Sequence, residues 1–309
     1  MSVLLLILQD VMAPFFLMAG LGAVLQRRYR LDMGTLSKVL NLYLLPAVCF
    51  AKLYDSSIDA TLAAATIGFW LLLNATIGVL SGAAVKAFRV RKEEADVVRN
   101  SFVLSNQGNY GLPVSELVFA QHPLGMSVQV IISVVQNVFT YTFGTFRLIP
   151  GRGRQLLRTL AAHTVRLPVI YAMLAAVALR MLDVRIPATL RASVEGVSDA
   201  FFAIALLTLG AQLANFRIRS LGRSVAVGTI GRLLFAPAVA FALIVAFGLE
   251  GVFAQAMFMA SAYPVSRNSS LIALEYDRSP ELAAQLVAVT TAVSCMTVTG
   301  IITLAQYIW

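Results

Sequence analysis

Apolar runs of about twenty residues recur from one end of this chain to the other. Each is long enough to cross a hydrocarbon core of about 30 Å as a helix, the one open-chain structure that satisfies its own backbone in lipid. A β-barrel would show short alternating segments instead. Of the 309 residues 59% are apolar and 13% charged, too little polar surface to cover a soluble globule of this size. The expectation is an all-α membrane protein whose solvent is the lipid bilayer.

Charge, glycine and proline divide the chain into ten segments, at residues 3–25, 34–54, 60–88, 96–121, 126–149, 160–181, 188–214, 221–248, 251–277 and 281–308. No intervening loop is long enough to fold by itself. The chain therefore reads as a single transmembrane domain, 1–309, in two halves of about 1–150 and 151–309. The first segment lacks a basic leader and a small-residue cleavage site, so it reads as a retained helix.

A net charge of +9 does not point to nucleic acid here, because the basic residues sit in short clusters between apolar runs. Loops after odd-numbered segments hold Arg27, Arg28 and Arg30, then Lys86, Arg89, Arg91 and Lys92, then Arg152, Arg154 and Arg158, then Arg217, Arg219 and Arg223. Such loops face the cytoplasm. Loops after even-numbered segments hold Lys52 and one dissenting cluster, Arg180, Arg185 and Arg191. The expected placement is multi-pass in the cell (inner) membrane with both termini external.

The fourth and ninth segments break the apolar pattern in the same way, at Ser105-Asn106-Gln107-Gly108-Asn109-Tyr110-Gly111-Leu112-Pro113 and at Ser261-Ala262-Tyr263-Pro264-Val265-Ser266-Arg267-Asn268-Ser269-Ser270. Proline removes a backbone donor and clashes with the preceding turn, while glycine eases departure from helical geometry. The freed backbone groups must face protein or a wet cavity. Pro113-Val114-Ser115-Glu116 and Pro264-Val265-Ser266-Arg267 match at three of four positions, each in the fourth segment of a five-segment half. Five is odd, so the second half would cross the membrane inverted, with broken, crossing segments four and nine. Paired broken helices in inverted repeats mark a transporter with its site near the midplane. Half-helix N-termini aimed at one point favour an anion.

Unwinding is expected around Asn109 to Pro113 and Ala262 to Pro264. Glu116 complements the dipole of its half-helix, whereas Arg267 puts a cation near a positive helix end, where burial costs at least about 2.5 kcal/mol. The offset would come from Glu116, a substrate carboxylate or water. Asn41, Asn74, Gln136, Asn137 and Gln212 read as amides that bond across to a neighbouring helix, and Asp10 and Arg232 as charges close to a membrane interface. Cys49 and Cys295 read as small core side chains, and His122 and His163 form no metal pair. No HExxH, GxSxG or two-aspartate protease pattern is present, which argues against an enzyme.

Asn106-Gln-Gly-Asn109-Tyr-Gly111-Leu-Pro113 and Tyr263-Pro264 through Asn268, leading into Ala273-Leu-Glu-Tyr276, resemble the auxin efflux carrier family within the bile-acid symporter superfamily. Leu207-Thr-Leu-Gly-Ala-Gln-Leu213 and Ala236-Pro237 add to the match. The resemblance implies a scaffold of segments one, two, six and seven, a moving unit of three to five and eight to ten, an elevator-like mechanism and, often, a homodimer. Arg267 departs from the pattern, in which a small or neutral residue is expected.

The function read from the sequence is secondary transport of a small organic anion, with a sensor on the same fold as the alternative. The substrate-binding set is Asn106, Gly108, Asn109 and Pro113 with Glu116 on the first break, and Pro264, Arg267, Asn268 and Ser269 on the second. Ser105 and Gln212 are candidate sodium ligands, and the coupling ion is sodium or a proton. No cofactor is expected.

Overall fold

The computed structural model describes residues 5, 7–56, 58–148, 165–215 and 222–309. Helix dominates throughout, and among the described residues extended pairing is confined to one isolated bridge. The helices are α1 (Leu8–Tyr29), α2 (Met33–Tyr54), α3 (Ala60–Ala87), α4 (Ala95–Val103), α5 (Leu112–Val118), α6 (Pro123–Leu148), α7 (Pro168–Met181), α8 (Ala188–Asn215), α9 (Arg223–Ala246), α10 (Gly251–Ser261), α11 (Arg267–Glu275) and α12 (Pro280–Ile308).

Seven of them, α1, α2, α3, α6, α8, α9 and α12, are long and apolar enough to cross a membrane. The other three expected segments do not appear as continuous helices of that length. The fourth is divided into α4 and α5, and the ninth into α10 and α11. The sixth is described only from Val165, with α7 starting at Pro168. Arg152, Arg154, Arg158, His163, Arg217 and Arg219 lie outside the described residues.

Proline shapes the long helices without ending them. The wide five-residue turns Leu8–Met12, Leu40–Leu44, Gln107–Gly111 and Gly231–Phe235 each stand just ahead of a proline, respectively Pro14, Pro46, Pro113 and Pro237. A proline ring clashes with the carbonyl four residues earlier and offers it no amide, so the turn widens to relieve both problems. A fifth wide turn, Thr140–Gly144, has no proline; the Gly144 carbonyl there accepts Asn100 Nδ2 at 3.0 Å. Polar caps begin several of the helices. Asp32 accepts the Gly34 and Thr35 amides ahead of α2, and Asp59 accepts the Leu62 amide ahead of α3.

Two packing groups result. In one, α1 lies along α8 and α2 packs on α7 and α8. The α1–α8 contact is backbone to backbone: a Cβ on Gly22 would overlap the Leu207 carbonyl oxygen, and one on Gly210 would overlap that of Ala19. In the other, α4, α6, α9, α10 and α12 gather around the interruptions, with α3 against α4 and α6 and α11 against α12. The groups meet where α2 touches α6 and where α8 touches the Gln107–Gly111 turn and α5.

Candidate binding site at the helix interruptions

Helical geometry stops after Val103 and resumes at Gln107, and stops after Ser261 and resumes at Arg267. The two gaps bond to each other. Ser105 and Val265 form the antiparallel bridge, in which the Asn106 amide donates to the Pro264 carbonyl at 2.8 Å and the Ser266 amide to the Leu104 carbonyl at 2.7 Å. Exposed to lipid these groups would be costly; paired across the gap they are satisfied.

The first gap lies upstream of the position expected from the sequence. Asn109 to Gly111 belong to a wide turn that runs on into α5, and the widening accommodates the ring and missing amide of Pro113. Pro264, by contrast, lies inside the second gap.

Side chains complete the accounting. Gln136 Nε2 donates to the Val103 carbonyl at 3.2 Å and is oriented by Trp70 Nε1, which donates to Gln136 Oε1 at 2.8 Å. Gln107 Nε2 donates to the Ala260 carbonyl at 2.8 Å and to Ser105 Oγ at 2.7 Å, while Gln129 Nε2 donates to Gln107 Oε1 at 2.8 Å. The Val265 amide donates to Thr290 Oγ1 at 3.1 Å, and Ser266 Oγ caps α11 by accepting the Asn268 amide at 3.2 Å. Tyr110 and Tyr263 pack with ring centroids 5.6 Å apart and planes tilted by 50°, and the Tyr263 hydroxyl bonds Ser115 Oγ at 2.9 Å.

A polar pocket opens on this junction. Ser105, Asn106, Gly108, Asn109, Arg267 and Asn268 line it from the interrupted segments, faced by Asn41 of α2 and by Ser133, Gln136, Asn137 and Thr140 of α6. Ser133 Oγ is buried without a partner among the described residues. Arg267 is bonded through Nη1 to Ser37 Oγ of α2, and no ion pair with a carboxylate is found for it among the described residues.

The remaining sequence candidates are elsewhere. Glu116 faces a separate cavity of about 290 Å³ and pairs with Lys52 Nζ at 2.7 Å, not with Arg267. Ser269 borders a neighbouring void and donates to the Ser266 carbonyl at 2.7 Å. Pro113 is buried in α5, and Pro264 contributes its carbonyl to the bridge. Gln212 is buried in α8, its Nε2 without a partner among the described residues.

Sequence reasoning passed over Gln129, Ser133, Thr140 and Thr290, gave Gln136 only a general bonding role, and set Arg232 close to a membrane interface, whereas it is buried against the Phe102 and Ser261 carbonyls. One signal was available: Gln129, Ser133, Gln136 and Thr140 follow the four-three-four spacing of one helix face. A polar stripe in an otherwise apolar segment must face protein or water.

Membrane-length apolar helices packed around a polar pocket built on two joined helix interruptions define a multi-pass α-helical membrane protein of the transporter class. The profile of the family described as membrane transport protein matches residues 8–158 and again residues 152–302. The chain belongs to this family, which is that of the auxin efflux carriers. Comparison with curated proteins finds no match.

Proposed function

We propose that the protein is a secondary transporter of a small carboxylate-bearing organic anion, bound where the two interruptions meet. The observation that carries this reading is Arg267. It is a cation at the start of α11, bordering a pocket lined mainly by side-chain amides and hydroxyls, and its hydrogen-bond partner is a neutral serine. A carboxylate would supply the missing counter-charge through a bidentate contact, and the amides of Asn106, Asn109 and Asn268 would donate to the lone pairs left on its two oxygens.

The pocket encloses about 20 Å³, room for about one water molecule. A substrate therefore requires α2, which carries Asn41 and Ser37, to separate from α6 and α11. That motion is the sliding of one packing group against the other. It supports alternating access of the elevator kind, with α1, α2, α7 and α8 as scaffold and the remaining helices moving. In this reading the chain crosses the membrane ten times as two inverted five-helix repeats, α4 with α5 and α10 with α11 each forming one broken crossing. Both termini are external. Arg191, which weighs against this orientation, is bonded to Asp55 at 3.0 Å and to Glu195 at 2.8 Å, so its charge is locally balanced.

Uptake of a panel of labelled mono- and dicarboxylates into proteoliposomes tests the proposal. Accumulation of at least one, competed by the unlabelled acid, is the expected result. Saturable binding without accumulation would instead indicate a sensor on the same fold.

A further inference from the structure

Arg232 lies in the wide turn of α9, only 2% exposed, and among the described residues no carboxylate pairs with it. Its Nη1 donates to the Phe102 carbonyl at 2.7 Å and its Nη2 to the Ser261 carbonyl. These are the carbonyls that the interruptions deprive of helical partners. In a continuous helix Phe102 would accept the Asn106 amide, which goes instead to Pro264, and Ser261 would accept the Val265 amide, which goes instead to Thr290. One guanidinium thus closes the C-terminal ends of both α4 and α10.

The charges balance as well. A helix C-terminus carries about half a negative charge, so two such ends together present about one, and the guanidinium supplies one positive charge. An arginine in the apolar interior is costly, and here the two helix ends offset that cost without any acid. An inorganic cation at the ends of broken helices binds through the same kind of carbonyl oxygens. Arg232 already fills that place. Ser105 Oγ, a candidate sodium ligand, is engaged by Gln107 Nε2 at 2.7 Å.

We propose that Arg232 is the resident cation of the helix interruptions, tethered by its own side chain where a coupling sodium ion would otherwise bind. The site takes no sodium. The consequence for transport, that sodium is not required, rests on the transporter reading; the cation site itself does not. Arg232 is a positioning residue: it holds Phe102 and Ser261 together and thereby sets the geometry of the bridge between Ser105 and Val265.

Thermal melting of the purified full chain in detergent tests this apart from transport. The wild-type melting temperature should be the same in sodium chloride and in N-methylglucamine chloride at equal concentration. Arg232→Ala should melt several degrees lower, and methylguanidinium should restore much of that loss at concentrations that leave the wild type unmoved. Arg232→Lys, which keeps the charge, should fall between them and remain indifferent to sodium, and it carries the test if the alanine variant does not fold. A sodium-dependent rise in wild-type or Arg232→Lys melting temperature overturns the proposal, as does an Arg232→Ala protein that methylguanidinium fails to restore. Absence of carboxylate uptake with sodium-independent melting would count against the transporter reading alone.

Discussion

Ser105 and Val265, from opposite halves of the chain, face each other in an antiparallel bridge flanked by hydrogen bonds of 2.8 and 2.7 Å. With bonds on either side but none between them, the two residues form the close type of antiparallel pair, whose Cα atoms stand about 4.5 Å apart. That spacing lies within the range a disulfide can bridge. In a background lacking Cys49 and Cys295, a Ser105→Cys/Val265→Cys protein should therefore form an intramolecular crosslink under mild oxidation, read as a reducible shift in gel mobility. A control pair at Ser105 and Ser270 should not crosslink.

The ion pair of Lys52 with Glu116 joins α2 to α5, one residue from each packing group, and both side chains are about one-third exposed (28% and 33%). A pair so open to solvent contributes at most about 1 kcal/mol. Glu116→Gln should thus change uptake by no more than about fivefold, and exchanging the two charges should recover most of the difference. Abolished uptake in Glu116→Gln would place Glu116 in the binding site after all.

Much of this arrangement was legible in the sequence. The two polar interruptions, their proline-valine-serine match and the lone arginine all stand in the primary structure, because departures from apolarity are rare and costly in lipid. The register was not. Pro113 suggested a break beside itself, yet a widened turn absorbs the proline and the gap forms at Leu104 to Asn106. Nor was it legible that Glu116 would meet Lys52. Residues distant in sequence pair according to how helices are laid side by side, and local pattern carries no record of that. Arg232 was visible as a charge in an apolar run, but its carbonyl partners exist only because both helices end beside it.

Gly22 and Gly210 let α1 and α8 touch through their backbones. A methyl group on Gly210 would meet a carbonyl that cannot rotate away, so Gly210→Ala should cost about 1–3 kcal/mol or more and lower the melting temperature. Gly20, where an added methyl would have nothing within 4 Å, should tolerate alanine. Equal melting of the two variants would show that α1 and α8 do not meet backbone to backbone.

At the turn between α3 and α4, the hydrogen bond from Arg91 holds the Glu94 carboxyl below its ordinary range, partial burial opposes this, and the Ser224 hydroxyl assists it, donating at 2.5 Å. A carboxyl whose folded pKa is depressed adds stability that is complete above its unfolded value, near about 4.3. That stability is lost as pH falls through the lower folded value. Melting temperature should decline across this acid range, and Glu94→Gln should flatten that decline while lowering stability at neutral pH. An unchanged acid limb in Glu94→Gln would remove Glu94 as its source.

Proteoliposome uptake of a labelled carboxylate by wild type and by Arg267→Gln, at matched protein content, tests the central claim most directly. Loss of a charge-assisted bidentate contact predicts a fall of at least about tenfold for Arg267→Gln, with Arg267→Lys retaining part of the activity because an ammonium cannot reproduce the planar fork. Full activity of Arg267→Gln would contradict the claim.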